Sequence, residues 1–201
     1  VELSPQEQAT CKMLGNLRSI ASRGTGIKDA QMGKQSPLEI DELGVMGEYA
    51  FCKHFNIFFD PVTYARAGGA DCVLLGKRID IKTTPYSTGK LIATTKQNQD
   101  IDVFVLAIAY SNGSRIEFPG YVTAKKLYSP ENITDLGHGS TYAVTQDRLT
   151  PWKGEDHMKL KMSYTEITIC AENPVEEHYL RFILGLSPAD PGIPVVEPIR
   201  A

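Results

Sequence analysis

The stretch that most constrains this 201-residue sequence runs from Ala70 to Thr84 and reads ADCVLLGKRIDIKTT. Two segments rich in Val, Ile and Leu flank Gly76-Lys77, a pattern that predicts a β-hairpin with a two-residue turn at those positions. Residues directly opposite in a hairpin point to the same side of the sheet. The predicted cross-strand pairs are Leu75 with Arg78, Val73 with Asp80, and Asp71 with Lys82.

This pairing predicts a hairpin with two chemically different faces. Residues two apart on a strand share a side, so Asp71, Asp80 and Lys82 converge on one face. Carboxylate oxygens are hard ligands suited to Mg²⁺ or Mn²⁺, and a lysine beside such a metal can orient or help deprotonate a water. An ordinary Asp–Lys pair on a two-stranded surface is the alternative interpretation. The opposite face is predicted to hold Cys72, Leu74, Ile79 and Ile81.

A helix predicted over about residues 37–56 carries a third acidic residue, Glu48. Ser36 and Glu39 form a capping-box pattern that starts this helix. Glu48 shares a helical face with Cys52 and Phe55, so we expect its carboxylate to point towards the protein body. A buried carboxylate must be paired or metal-bound. A glutamate at the rim of the helix is the alternative.

Two further features concern how the helices pack. Gly44 and Gly47 lie inside the second helix, where each costs about 1 kcal/mol relative to alanine, which suggests a close approach to the sheet. A first helix is predicted over residues 4–22, beginning at the Ser4–Glu7 capping box. Its predicted apolar stripe consists of Leu3, Met13, Leu14, Leu17 and Ile20.

These residues resemble the PD-(D/E)xK nuclease superfamily, in which a helix with a glutamate precedes a strand with an aspartate and a strand with [Asp/Glu]-x-Lys. The matching residues are Glu48, Asp71 and Asp80-Ile81-Lys82, with Ala70 in the place of the name-giving proline. The resemblance covers roughly residues 37–123. It implies an α/β fold with a three-layer, restriction-endonuclease-like core, a mixed β-sheet flanked by helices.

The resemblance also implies an activity, the metal-dependent hydrolysis of phosphodiester bonds in DNA. Asp71, Asp80 and the Ile81 carbonyl would bind Mg²⁺ or Mn²⁺, Glu48 would assist by holding a second metal or a metal-bound water, and Lys82 would orient the attacking water. Polar residues implied to face the nucleic acid are Lys96, Gln97 and Asn98. Arg66, which precedes Gly68-Gly69, is a further candidate, because arginine suits phosphate and glycines allow close approach.

Two more strands are predicted after the hairpin, over residues 91–95 and 102–110, and we assign them to the same sheet. The second is apolar without alternation, as expected of a central strand buried on both faces. Only residues 96–101 separate the two strands, whereas a parallel crossover needs a dozen or more. Either a crossover helix is very short or these strands are antiparallel neighbours.

Composition limits the other possibilities. The net charge of −3 means that any contact with nucleic acid must be local. The four cysteines are far apart and include no Cys-x-x-Cys pair, so we expect no zinc site and a reducing, intracellular and cytoplasmic setting. No apolar run approaches the roughly 18 residues of a membrane span, and no signal peptide is recognisable.

We interpret residues 1–201 as a single nuclease-like domain with its core at about 37–123. Residues 1–36 form an N-terminal helix and loop, 124–186 a C-terminal elaboration with a last helix near 173–185, and 187–201 an extended proline-rich tail. The apolar tail residues need a surface, either on this domain or on a neighbouring subunit, so a homodimer is possible. A non-catalytic nuclease-fold module that binds nucleic acid or protein, and an RNA-specific nuclease, remain as alternative functions.

Overall fold

A computed structural model describes residues 1–24, 35–63, 69–137 and 139–152, together with the backbone of two short strands nearer the C-terminus. The chain divides into two compact units, residues 1–152 and 153–201. Arg66, the predicted last helix and most of the tail lie outside the described residues. In chain order the elements are α1 (Pro5–Gly24), α2 (Pro37–Phe55), β1 (Cys72–Leu74), β2 (Lys77–Thr84), β3 (Leu91–Thr94), β4 (Val103–Tyr110), β5 (Arg115–Thr123), α3 (Ala124–Leu127), β6 (Ile133–Asp135), β7 (Ser140–Val144), β8 (Ile169–Cys170) and β9 (Val195–Val196).

The first unit is a mixed α/β structure built around a four-stranded sheet in the order β1-β2-β4-β5. β1 pairs with β2 in antiparallel fashion, β2 with β4 in parallel, and β4 with β5 in antiparallel fashion. β4 is the predicted central strand, and Phe104 to Ala109 are all buried. In the second unit, β8 and β9 form a parallel pair.

The prediction that residues 91–95 belong to this sheet is wrong. β3 pairs instead with β7, in a separate three-stranded sheet of order β3-β7-β6. The link between the parallel strands β2 and β4 therefore covers residues 85–102 and includes β3. This link is long enough for a parallel crossover, which removes the conflict posed by the short segment 96–101.

The two faces of the four-stranded sheet have different coverings. Phe104, Leu106 and Ile108 point to one side of β4 and join a core cluster with residues of the second sheet, among them Leu91 and Tyr142. Asp80 and Lys82 pair in register with Phe104 and Leu106, so they lie on this side too. Helix α2 packs on the other side. The resemblance implied helices on both faces of the four-stranded sheet. Within the described residues, the face opposite α2 is covered by the three-stranded sheet and the short helix α3.

Gly47 permits the close packing of α2 on β2. A Cβ atom added at Gly47 would collide with the Thr83 side chain, so only glycine allows this approach. The prediction of a close helix–sheet contact is confirmed at this position. It is wrong for Gly44, where an added Cβ would meet no atom within 4 Å.

Helix α1 packs along α2, and both predicted capping boxes are present. The Ser4 N–H donates to Glu7 Oε2 at 2.7 Å, and the Ser36 N–H donates to Glu39 Oε2 at the same distance. The predicted apolar stripe of α1 is only partly buried, because Met13, Leu17 and Ile20 are exposed. No helix within the described ranges has the length and apolar character needed to cross a membrane.

Candidate functional site

The predicted hairpin is present, but its turn lies one residue earlier than expected. Leu75 and Gly76 form the turn, with φ angles of 51° and 70°. Two successive positive φ angles are typical of a type I′ turn, whose twist matches that of the flanking strands. The predicted pairs are therefore wrong: the observed partners are Cys72 with Ile79, Val73 with Arg78, and Leu74 with Lys77.

This correction does not change which residues share a side. Moving a two-residue turn by one position shifts every cross-strand partner by two residues, and side chains alternate with a period of two. The side predicted to be apolar is buried, at Cys72, Leu74, Ile79 and Ile81. The structure accordingly brings Asp71, Asp80 and Lys82 together. We call these three residues and Glu48 the carboxylate site.

Asp71 lies just before the edge strand β1 and is held by main-chain hydrogen bonds. Its N–H donates to the Ile79 carbonyl at 2.8 Å, and its carboxylate accepts a hydrogen bond from the Ile81 N–H at 2.7 Å. Burial and the negative charges of Glu48 and Asp80 raise the pKa of Asp71 well above its usual range. The Ile81 N–H and Lys82 oppose this rise without cancelling it. Asp71 is thus short of compensating positive charge.

Asp80 and Lys82 form a close ion pair on β2. Lys82 Nζ lies 2.6 Å from Asp80 Oδ1, and the Asp80 side chain is only 12% exposed. Asp80 Oδ1 is buried, so the Lys82 ammonium is the group that compensates its charge. Burial alone would lower the pKa of Lys82, but Asp80, Asp71 and the nearby Tyr128 outweigh it and raise that pKa. Lys82 is therefore a firmly protonated ammonium group.

Glu48 projects from α2 towards the protein body, as its helical position predicted, and not from an exposed rim. Its side chain is 12% exposed and forms an ion pair with Arg18 of α1, in which Nη1 lies 2.7 Å from Glu48 Oε2. The negative charge of Glu48 also acts on Asp71. Glu48 thus belongs to the carboxylate site through its effect on Asp71, and its carboxylate is held by a cation.

Arg18 is the residue that the sequence interpretation missed. Its signal was its spacing, because Cys11, Leu14 and Arg18 follow one helical face and Cys11 and Leu14 are buried. The predicted stripe included the buried Leu3 and Leu14, but its other members, Met13, Leu17 and Ile20, are exposed. An arginine within a buried stripe is informative, since a charged group there must find a partner.

In the segment of residues 96–98, Gln97 and Asn98 form hydrogen bonds with the hydroxyl groups of two tyrosines. The Asn98 N–H donates to the Tyr128 hydroxyl at 3.0 Å, and Gln97 Nε2 donates to the Tyr142 hydroxyl at 3.1 Å. Tyr128 in turn acts electrostatically on Lys82. Lys96 is exposed. The predicted substrate-facing segment therefore lies on the Lys82 side of the sheet.

A divalent cation fits part of this site. No group of three or more His, Cys, Asp or Glu side chains is placed to hold a metal ion within the residues that the structure describes. Two neighbouring carboxyl groups nevertheless suit a hard cation, because burial and the negative charges of Glu48 and Asp80 raise the pKa of Asp71, and a bound cation would offset those charges. Ile81 offers only main-chain atoms, because its side chain is in the core. Asp71 and Asp80 are thus the residues that fit a metal, whereas Glu48 is paired with Arg18.

Comparison with known proteins identifies no relative. No protein-family model, curated protein or solved structure matches this chain. The function must therefore be inferred from the side chains of the carboxylate site.

Proposed function

We propose that this chain is a metal-dependent nuclease that hydrolyses phosphodiester bonds of DNA, with a restriction-endonuclease-like core of the PD-(D/E)xK type. The observation that carries the proposal is the juxtaposition of Asp71, just before β1, with the Asp80–Lys82 pair on β2. The placement of Glu48 on the preceding helix, close enough to act on Asp71, supports the same assignment.

The side chains divide the work as follows. Asp71 and Asp80 would hold Mg²⁺ or Mn²⁺, which when bound lowers the pKa of a water and offsets negative charge growing on the phosphate. Lys82, protonated and 41% exposed, presents a positive hydrogen-bond donor to the substrate side. Its raised pKa favours orienting the attacking water and stabilising charge over accepting a proton. Gln97 and Asn98 lie on the same side as candidate contacts with the sugar–phosphate backbone, together with Lys96.

A non-catalytic module is the competing function, and two observations favour it. Glu48 is paired with Arg18, and the described residues contain no group of three metal-binding side chains. On that interpretation the carboxylate site would be a network of ion pairs, and the chain would bind nucleic acid or protein without cutting it. The raised pKa of Asp71 argues against a purely structural network, because the burial and like charges that raise it disfavour the ionised carboxylate.

The test is a cleavage assay on four substrates: single-stranded DNA, linear duplex DNA, circular duplex DNA and single-stranded RNA. Each is incubated with the wild-type chain and Mg²⁺, Mn²⁺ or EDTA. The proposal predicts cutting of DNA that requires the metal and stops in EDTA. Cutting of RNA alone would indicate an RNA-specific nuclease. Binding of DNA without cutting of any substrate would support the non-catalytic module.

A further inference from the structure

Arg18 makes three separate contacts, one of which connects helix α1 to the carboxylate site. Nη1 lies 2.7 Å from Glu48 Oε2. Nε donates to the Val62 carbonyl at 3.1 Å, and Nη2 donates to the Asp60 carbonyl at 3.1 Å. The Arg18 side chain is only 18% exposed. One guanidinium thus joins α1, the carboxylate of Glu48 and the segment that follows α2.

The planar guanidinium suits this arrangement better than an ammonium group would. Its donors are fixed in one plane, so satisfying two main-chain carbonyls also fixes the direction of the remaining N–H groups towards Glu48. The guanidinium also lies 6.0 Å from the centre of the Phe59 ring. Phe59 in turn makes an edge-to-face contact with Tyr49 of α2. The orientation of Arg18 is therefore determined by groups other than Glu48.

We propose that Arg18 is a positioning residue of the carboxylate site, which holds the Glu48 carboxylate in place beside Asp71. This inference rests on the proposed metal-dependent activity and extends the site to α1. Arg18 itself is not expected to touch substrate, because its donors are directed to Glu48, Asp60 and Val62. Its effect on metal binding passes through Glu48.

The experiment is a double-mutant cycle on Arg18 and Glu48 in the full chain, with Mn²⁺ alone as the probe in calorimetric titration. The variants are Arg18→Gln, Arg18→Lys, Glu48→Gln and the Arg18→Gln/Glu48→Gln double variant. In the proposed site Asp71 and Asp80 are the direct ligands, and Glu48 lies outside them. Outer-shell groups typically contribute 10- to 100-fold in affinity, so we expect Arg18→Gln, which releases Glu48, to weaken Mn²⁺ binding by about 10-fold. Arg18→Lys keeps the charge but not the planar set of donors, so it should recover only part of this loss.

Non-additivity is the decisive readout. If Arg18 acts through Glu48, the double variant binds Mn²⁺ no more weakly than Glu48→Gln alone. Additive losses, or an Arg18→Gln affinity equal to that of wild type, would overturn the inference. If Arg18→Gln does not fold, the cycle is repeated with Arg18→Lys, whose loss must likewise vanish in the Glu48→Gln background. Arg148→Gln is the matched control, because Arg148 forms an exposed ion pair with Glu131 at 3.1 Å.

The same variants separate failure of this inference from failure of the nuclease proposal. If the wild-type chain binds Mn²⁺ but cuts no nucleic acid, the nuclease proposal is contradicted. The double-mutant cycle still tests the positioning role of Arg18, because it measures Mn²⁺ binding. If the wild-type chain cuts DNA but the losses in Mn²⁺ affinity of Arg18→Gln and Glu48→Gln are additive, only the positioning role of Arg18 is contradicted. For a chain that cuts, we expect Arg18→Gln to lower kcat by about 30-fold with little change in the KM for DNA.

Discussion

Glu7 and Asp71 are both acidic residues that lie beside α2, yet their surroundings have opposite effects on them. The Lys53 ammonium, the Ser4 main chain and the Tyr49 hydroxyl lower the pKa of Glu7 from 4.5 to about 2. Burial and the charges of Glu48 and Asp80 raise the pKa of Asp71. The surroundings of Glu7 stabilise its ionised carboxylate within the fold. The surroundings of Asp71 disfavour the ionised form of that carboxyl group.

This difference separates a structural ion pair from a candidate active site. Around Asp71, three carboxylates face two cations, Arg18 and Lys82. Strongly perturbed carboxyl groups of this kind occur preferentially at functional sites, where a ligand supplies the missing charge. A divalent cation would compensate the excess at Asp71, and no equivalent need exists at Glu7. The predictions that follow test this contrast.

The largest effect is expected from Asp80→Asn, which removes a carboxylate from the site without changing its shape. We predict that the DNA cleavage rate falls by about 1,000-fold and that Mn²⁺ affinity falls by about 100-fold. Cleavage kinetics and calorimetric titration measure the two quantities. Asp100→Asn provides the control, because Asp100 forms an exposed ion pair with Arg78 at 3.5 Å. Equal behaviour of the two variants would show that Asp80 has no special role.

Arg18→Gln should have the largest effect on stability, because it leaves the buried carboxylate of Glu48 without its cation. Removing one partner of a buried ion pair costs about 3 kcal/mol in the free energy of unfolding. Adding Glu48→Gln should recover most of that loss, since neither charge then remains unpaired. Urea denaturation of the single and double variants measures both values. A double variant less stable than Arg18→Gln would contradict this explanation.

Gly47→Ala tests whether the position of α2 against β2 matters for the site. The added Cβ would collide with Thr83, a stiff β-branched residue, so we expect a loss of about 2 kcal/mol in the free energy of unfolding. Gly44→Ala in the same helix meets no neighbour and should instead gain about 0.5–1 kcal/mol from helix propensity. Thermal or urea denaturation compares the two. Similar values for both variants would contradict the close contact at Gly47.

The smallest effect is expected at the compensated carboxylate, Glu7. Its folded-state pKa is lower than its unfolded value, so its ionised form stabilises the fold above about pH 4.5, and this contribution disappears as the pH falls towards 2. Because Lys53 and Glu7 lie near solvent, we expect less than about 1 kcal/mol. The stability difference between wild type and Glu7→Gln should therefore shrink on acidification. A difference that grows at low pH would contradict the assignment.

The sequence predicted which of these side chains share a face better than it predicted the surrounding sheets. Local alternation placed Asp80 and Lys82 on one side of β2, and an error of one residue in the turn position did not disturb this parity. Leu75 adopts a positive φ in the turn. Leucine seldom adopts this conformation, so the sequence offered no reason to place the turn at Leu75. The pairing of β3 with β7 was not visible, because a strand's own residues do not identify a partner some 50 positions away.

The surroundings of Glu48 show the same limit. The helical spacing with Cys52 and Phe55 correctly indicated a carboxylate directed inwards. Its cation lies 30 positions earlier, on another helix, and the choice depends on which face of α1 is buried. Exposed Met13 and Leu17 are as apolar as many core residues, so hydrophobicity alone could not separate the buried face of α1 from the exposed one.

The most direct test of the central claim is the rate at which circular duplex DNA is cut in the presence of Mn²⁺ by Lys82→Ala and by Lys77→Ala. Both lysines lie on β2, but Lys77 is exposed near the turn, 4.0 Å from Asp102, whereas Lys82 is paired with Asp80. We predict wild-type cutting by Lys77→Ala and a loss of about 100-fold or more for Lys82→Ala, with both variants folded. Cutting by Lys82→Ala at the wild-type rate, or no cutting by the wild-type chain, would contradict the assignment of the carboxylate site as a nuclease centre.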